Sequence, residues 1–513
     1  MAGAMRHLLV MALAAGIGFG KPAAGAALDE LAAGQKLSAE HVGFILVDVA
    51  SGKVLAEHQG DRLVVPASVA KLPTAIAAIS SLGTEHRFAT ELSLAGSTLI
   101  LVGGGDPLLV PEDLRPGLRR LRDSGARIDR FIYDVTAWPE SSEIDPLQPE
   151  ASSYNPGVGA LALDFNRVML EWKGGGRERS AIAISDALRL EADAVSVLLS
   201  SVPTPYRLRA DGPDRWLLAN PTEAGRTWLP VKQPGLNAAM VVRRLAEREG
   251  VRLPIPVAGR RPAEAQPLHL HPSLPLAEIV KRVLEHSNNM AAEMVGLATA
   301  MQVGESRPSS LATSVSVVDG WLSAQFPEID WTGNRRANHS GLSPESRTTP
   351  RQMAGLVRHA ALRIPDLIEF LPKRELTDSD PDESRNEARP KAKPRAKALA
   401  SDNSEGKAKA KDDGGKRKAE TKAGNGDDGP KVALRYRAKT GTMAYARGLV
   451  GLMTPNSGRQ LAFAIFVYDD ARRAQFDATL DRNDPVMPPE AIAWLRRARN
   501  VERGILRAWT IAY

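Results

Sequence analysis

Apolar runs and their spacing divide the chain before any chemistry is considered. Residues 42–49 form an almost continuous apolar run of strand length, 50–53 (Ala50, Ser51, Gly52, Lys53) are turn-like, and 54–58 read as a returning strand. After Pro66 and Ala67, Ser68 precedes Val69, Leu72, Ile76 and Ile79, whose spacing predicts one face of a helix. Ile279, Val283 and Leu284 mark a second amphipathic run, followed by the apolar stretch from Met290 to Val295. Residues 448–453 and 461–468 predict two strands joined across Pro455, Asn456, Ser457 and Gly458. From 491 to 509, apolar residues recur at helical spacing between arginines. Trp494, Leu495, Ile505, Leu506 and Trp509 need a core, so this helix is predicted to pack on its own sheet, a membrane-surface helix being the alternative. Strands and helices at both ends, with long sequence between, predict an α/β (α+β) domain split by insertions.

Composition narrows the class without changing that outline. With 513 residues, 43% hydrophobic and 25% charged, the chain can bury a sizeable core. The absence of cysteine removes disulfides, thiolate zinc sites and cysteine nucleophiles. Sixty-seven Lys+Arg against 60 Asp+Glu give a net charge of +7, too mild for this length to argue for nucleic acid, and none is expected as a partner. The first 26 residues read as an export signal: a basic start at Arg6 and His7, an apolar 8–19, and Ala24-Gly25-Ala26 as a cleavage pattern, with the cut placed after Ala26. The apolar run falls short of the ~20 residues a spanning helix needs, so no stable transmembrane anchor is expected. Residues 373–431 are dominated by Lys, Arg, Asp, Glu, Ala, Gly and Pro, with Leu376 and Leu399 as the large aliphatics. Such a stretch cannot offset its ordering entropy by burial and is expected to be a disordered charged loop.

Three short signals carry chemistry. Ser68-Val69-Ala70-Lys71 puts a hydroxyl and an amine on one helix face, where a lysine of depressed pKa can activate the serine. Alone the pattern is weak, as Ser404 and Lys407 show by repeating it inside the charged tract. Ser287-Asn288-Asn289 lies at a predicted helix–loop junction, where a hydroxyl and an amide two apart can face one cleft. Its counterpart at Ser401-Asp402-Asn403 lacks apolar flanks. Lys439-Thr440-Gly441-Thr442 is read as opening a strand that runs through Val450, with cation and hydroxyl suited to a carboxylate and the glycine to a close backbone approach. The run Gly103-Gly104-Gly105 lacks the following lysine and helix of a phosphate cradle and reads as a turn.

In this order the three signals are far stronger than their parts. With them the chain resembles the serine-type D-alanyl-D-alanine carboxypeptidases/endopeptidases, low-molecular-mass penicillin-binding proteins with a large inserted domain. Leu101 to Pro107 is similar to that family's Gly-Gly-Asp-Pro segment, and Ser340-Gly341-Leu342-Ser343 with Thr349-Pro350 to its Gly-Ser-Gly-Leu-Ser stretch. The resemblance implies a penicillin-binding/β-lactamase-like transpeptidase fold, an antiparallel sheet flanked by helices. It would be assembled from 27–82, 272–372 and 432–513, with 83–271 inserted. Two departures stand out: Asn288 replaces the usual Asp of the second motif, and the charged tract precedes the third motif where the family has an ordered segment.

The resemblance also implies roles. Ser68 would attack the penultimate D-alanine of a peptidoglycan stem peptide, with Lys71 as base and Ser287 as proton relay, or those two exchanged. Asn289 would bind the peptide, Lys439 and Thr440 would recognise the terminal carboxylate, Gly441 would let the substrate backbone approach, and the backbone N–H groups of Ser68 and Thr442 would form the oxyanion hole. No metal or cofactor is required, β-lactams would acylate the same serine, and the setting would be the periplasm. A β-lactamase and a non-catalytic wall-binding protein are the rival readings.

Overall fold

The computed structural model describes residues 21–173, 180–185, 188–200, 208–219, 223–364, 367–377, 432–483 and 486–513. Chain contacts divide it into a larger unit, 1–374 with 435–513, and a second unit, 375–434.

The predicted strands at 42–49 and 54–58 are Val42–Asp48 and Val54–His58. With Lys373–Thr377, Val432–Met443, Ala446–Met453 and Leu461–Tyr468 they form a six-stranded sheet in the order Lys373–Thr377, Val432–Met443, Ala446–Met453, Leu461–Tyr468, Val42–Asp48, Val54–His58, antiparallel from Val432–Met443 onward. Ala446–Met453, Leu461–Tyr468 and Val42–Asp48 are buried at every position, because helices cover both faces. On one face, Trp509 of the helix Pro489–Ala512 packs edge-on against Phe44 and Phe463, at 5.6 and 6.2 Å between ring centroids. Trp494, Ile505, Leu506 and Trp509 are fully buried, so this helix serves the sheet rather than a membrane surface. On the other face Ile45, Val47, Val450 and Phe466 share a core with the helices Lys71–Leu82, Asn289–Val303 and Pro350–Arg363. Among the described residues no helix is long and apolar enough to cross a membrane.

The third signal is placed differently from its sequence reading. Lys439 to Thr442 close a strand instead of opening one. After Met443 the chain turns through Ala444 and Tyr445, and Met443 pairs with Ala446, so Lys439 faces Val450 across a hairpin. Tyr445, the second residue of the two-residue turn, takes the left-handed conformation (φ +56°), a place normally given to Gly or Asn. With no such residue to mark it, the hairpin is invisible in the sequence.

Residues 83–271 lie within the larger unit. They carry a five-stranded sheet, in the order Val257–Ala258, Arg130–Asp134, Thr98–Val102, Ala89–Ala95, Gln266–Pro272, and two three-stranded sheets. They have their own buried cluster, built from Leu99, Leu118, Phe131, Trp216 and Leu245 among others. Phe88, Trp138, Ile144 and Val158 instead join the core beneath the main sheet. Gly103 to Gly105 lie in the loop between Thr98–Val102 and Pro111–Asp123.

Two sequence boundaries meet the structure only in part. Lys373–Thr377 is a strand, so the start of the charged tract is ordered, with Leu376 as its buried anchor. The rest of the tract, 378–431, lies outside the described residues, as do 1–20 of the predicted leader. Residues 21–26 belong to the helix Lys21–Gly34, in which Ala27, Leu28 and Ala32 are buried.

Candidate active site

Ser68 sits in a short 3-10 turn, Ala67–Ala70, that feeds directly into the helix Lys71–Leu82. Ala67 adopts φ +47°, a conformation that costs an L-residue about 1–2 kcal/mol and needs support from its surroundings. That support comes from two glycines. A Cβ on Gly441 would lie 2.4 Å from the Pro66 carbonyl oxygen, and one on Gly341 (φ +73°) 1.9 Å from that of Ala67. Only glycine allows the strand Val432–Met443 and the 340–342 loop to press this closely on the turn. Ser68 is half-buried while Val69, Ala70, Lys71 and Leu72 are buried, so the hydroxyl is presented at the edge of the core.

The Lys71 amine is 1% exposed. It donates to Ser68 Oγ at 2.9 Å, to Asn289 Oδ1 at 2.7 Å and to the Ser340 carbonyl at 2.8 Å. Burial lowers its pKa from 10.5 to about 7, partly opposed by the negative charge of Glu293. A lysine so poised exchanges a proton with a hydrogen-bonded hydroxyl at neutral pH, as a general base must.

The second signal occupies the junction of Leu276–His286 and Asn289–Val303. Ser287 is left-handed (φ +55°), and at this break between the two helices Ser287 meets Lys439 and Asn289 meets Lys71. Asn288 is the N-cap of the next helix, its Oδ1 accepting the Ala291 N–H at 2.9 Å. Asp and Asn cap about equally well, so the departure from Ser-Asp-Asn leaves the local structure intact. Asn289 is held at both ends, with Oδ1 on Lys71 and Nδ2 donating to the Tyr154 carbonyl at 2.9 Å.

From the sheet side, Lys439 is also 1% exposed. Its amine donates to Ser287 Oγ at 3.0 Å and to the Thr440 carbonyl at 2.7 Å. Burial, followed by the positive charges of Lys71 and Arg374, holds its pKa well below the ordinary lysine value. Thr440 is therefore tied to the group through its carbonyl. Thr442, exposed, lines with Ser68 and Asn289 a cavity of about 270 Å³ whose far wall includes Arg473 and Phe476. A larger concavity of about 650 Å³ lies between the C-terminal ends of Pro111–Asp123 and Pro234–Arg248, and none of the eight sequence-predicted residues lines it.

The structure thus gathers Ser68, Lys71 and Asn289 in one hydrogen-bonded group and Ser287 with Lys439 in another, with Gly441 against the serine turn. Sequence reasoning missed three neighbours. The Ser340 carbonyl, noted only for its family likeness, receives Lys71. Tyr154, from the long span between the first two signals, fixes Asn289. Glu293, 0% exposed, accepts the amides of His339 at 3.0 Å and Ser340 at 2.7 Å. A lone carboxylate in the apolar run from Met290 to Val295 was the available clue.

Comparison with known proteins gives the chain its family. A carboxypeptidase of Mycobacterium tuberculosis (Carboxypeptidase Rv3627c) is 25% identical over 430 residues, covering 83% of this chain and 76% of that protein. The D-alanyl-D-alanine carboxypeptidase of Actinomadura sp. is 29% identical over 286 residues, 49% of this chain and 53% of that one. The fold is that of penicillin binding protein 4 from Haemophilus influenzae, with a TM-score of 0.63 at 19% identity, covering 90% of this chain and 95% of the other. The D-Ala-D-Ala carboxypeptidase 3 (S13) family matches residues 24–372, a span that holds Ser68, Lys71, Ser287 and Asn289 and ends before Lys439. Over two thirds of its length, including the serine–lysine turn and the Ser287 junction, the chain belongs to the D-Ala-D-Ala carboxypeptidase 3 (S13) family of peptidases.

Proposed function

We propose that this protein removes the terminal D-alanine from peptidoglycan stem peptides through an acyl-enzyme on Ser68. The observation that carries the reading is the buried Lys71 amine, 2.9 Å from Ser68 Oγ with its pKa brought to about 7. Lys71 takes the Ser68 proton as Oγ attacks the penultimate D-alanine carbonyl. The oxyanion is received by the backbone N–H groups of Ser68 and Thr442, each donor of this kind being worth ~3 kcal/mol of barrier. Ser287, held by Lys439, passes a proton to the departing amine, and water then releases the shortened peptide. The second Nδ2 proton of Asn289 is available to the peptide carbonyl. Lys439 and Thr440 meet the terminal carboxylate, whose negative charge restores the ammonium that burial disfavours. β-Lactams, which combine an acylating carbonyl with a carboxylate, are expected to acylate the same serine. One structure sharing this fold, at 20% identity, is of penicillin binding protein 4 from Haemophilus influenzae complexed with a β-lactam.

The leader pattern at 1–26 supports export to the periplasm, and the span 83–271 is read as an insertion into the acyltransferase domain. Incubation with a labelled penicillin, followed by digestion, tests the site: the label is expected on the peptide containing Ser68 and absent from Ser68→Ala. Label elsewhere rejects the assignment. Mass spectrometry of murein exposed to the enzyme, counting lost D-alanines against opened cross-bridges, separates carboxypeptidase from endopeptidase action. N-terminal sequencing of the exported protein checks the cut after Ala26.

A further inference from the structure

Glu293 has no role in the chemistry so far, yet it is fully buried three residues from the capping turn of the central helix Asn289–Val303. Its two oxygens are spent on adjacent backbone amides, Oε2 on His339 N–H and Oε1 on Ser340 N–H. The next group along that backbone, the Ser340 carbonyl, accepts from Lys71 at 2.8 Å. One turn earlier on the same helix, Asn289 Oδ1 accepts from Lys71 at 2.7 Å. Two of the three acceptors of Lys71 are therefore fixed by one helix, one directly and one through a carboxylate clamp. We propose that Glu293 is a positioning residue for Lys71: it clamps the 339–340 backbone whose carbonyl receives the amine and sets its carboxyl group behind that acceptor. The proposal rests on the assignment of Lys71 as the base for Ser68.

The charged and titratable groups on the elements packed against this helix are Lys71, Asp164, Asp319 and, on Leu276–His286, Glu278, Lys281, Arg282, Glu285 and His286; Arg336 and His339 lie on the adjoining loop and Lys439 on the sheet. Burial raises the pKa of Glu293, opposed by the hydrogen bonds from His339 and Ser340 and by Lys71, the one charge acting on it. His339, between Thr74 Oγ1 at 3.2 Å and Ser314 Oγ at 2.9 Å, is kept neutral by burial and by Arg336, so it does not compete for the carboxylate. Arg336 is engaged elsewhere, by Asp319 and Thr74.

Glu293→Gln keeps the volume but removes the charge and turns an NH2 toward a backbone N–H. With the opposing negative charge gone, Lys71 deprotonates more easily. The acidic limb of penicillin acylation against pH should then move down by about 1 unit, with a plateau rate about tenfold lower from the loosened loop. Glu293→Asp keeps the charge but retracts it, so the plateau should fall while the limb stays nearer its wild-type position. A limb in Glu293→Gln that coincides with the wild type overturns the proposal, as does an equal shift in both variants. If Glu293→Gln does not fold, an unchanged plateau in Glu293→Asp overturns it; if neither folds, Glu293 is a core residue of the fold and the proposal fails. Wild-type enzyme that takes no label on Ser68 would sink the base assignment instead.

Discussion

The two sides of the cleft each present a buried lysine, and they use it in opposite ways. On the helical side, Lys71 donates to Ser68, Asn289 and Ser340, and burial lowers its pKa to about 7 against the opposing charge of Glu293. On the sheet side, Lys439 has acceptors too, but burial holds its pKa well down and the charges acting on it, Lys71 and Arg374, are both positive and add to the shift. Equal burial with a different charge environment suits Lys71 to the proton-accepting role proposed for it and Lys439 to the proposed anion site. The lesson is that desolvation alone does not assign a lysine its task; the sign of its neighbours does.

Removing either lysine separates these roles most sharply. Lys71→Ala should lower kcat/KM for a D-Ala-D-Ala peptide by roughly 10²- to 10⁴-fold, the usual contribution of a general base, in a D-alanine release assay. An equal loss of binding with kcat retained would break the contrast. Lys439→Ala should weaken turnover of the carboxylate-ended peptide by about 10²-fold while barely changing turnover of an amide-capped analogue. Equal losses on both substrates would mean that Lys439 does not read the carboxylate.

The pH dependence comes next in size. Lys71 acts as a base only when neutral, and its folded pKa is lowered from 10.5 to about 7. Acylation should therefore rise through pH 7 and fall about tenfold per unit below it. The same shift means that Lys71 costs stability in full below about 7, and that the cost fades as pH rises toward 10.5. A rate that is flat from pH 5 to 8 would contradict the assignment.

Smaller effects test how the two sides are joined. Gly441→Ala should cost about 1–3 kcal/mol by overpacking, read by denaturant titration, because its methyl would meet the backbone of the Ser68 turn. Slowed acylation should accompany it. Asn288→Ala should cost about 1 kcal/mol through the lost cap, whereas Asn288→Asp should be close to neutral in stability and rate.

Much of this was legible in the sequence where local rules act alone. The strands at 42–48 and 54–58, the helix after Ser68 and the final helix follow from apolar spacing, since burial imposes period and composition on any segment that packs. The three motifs named groups that the fold brings within hydrogen-bond reach of one another, because residue type and separation along a helix or strand fix which groups share a face. The hairpin at Ala444 and Tyr445 was not legible, because a left-handed tyrosine is held by its surroundings and leaves no mark in composition.

Sequence determined which groups could react: a hydroxyl and an amine one helical turn apart, a hydroxyl–amide pair, and a cation beside a glycine. Tertiary structure alone decided that Ser340 and Asn289, 269 and 218 positions from Lys71, complete its shell, and that Lys439 meets Ser287 from 152 positions away. Local spacing fixes neighbours within a turn or a strand pair. A pKa depends on every charge and every layer of buried atoms nearby, and these are brought together only by packing.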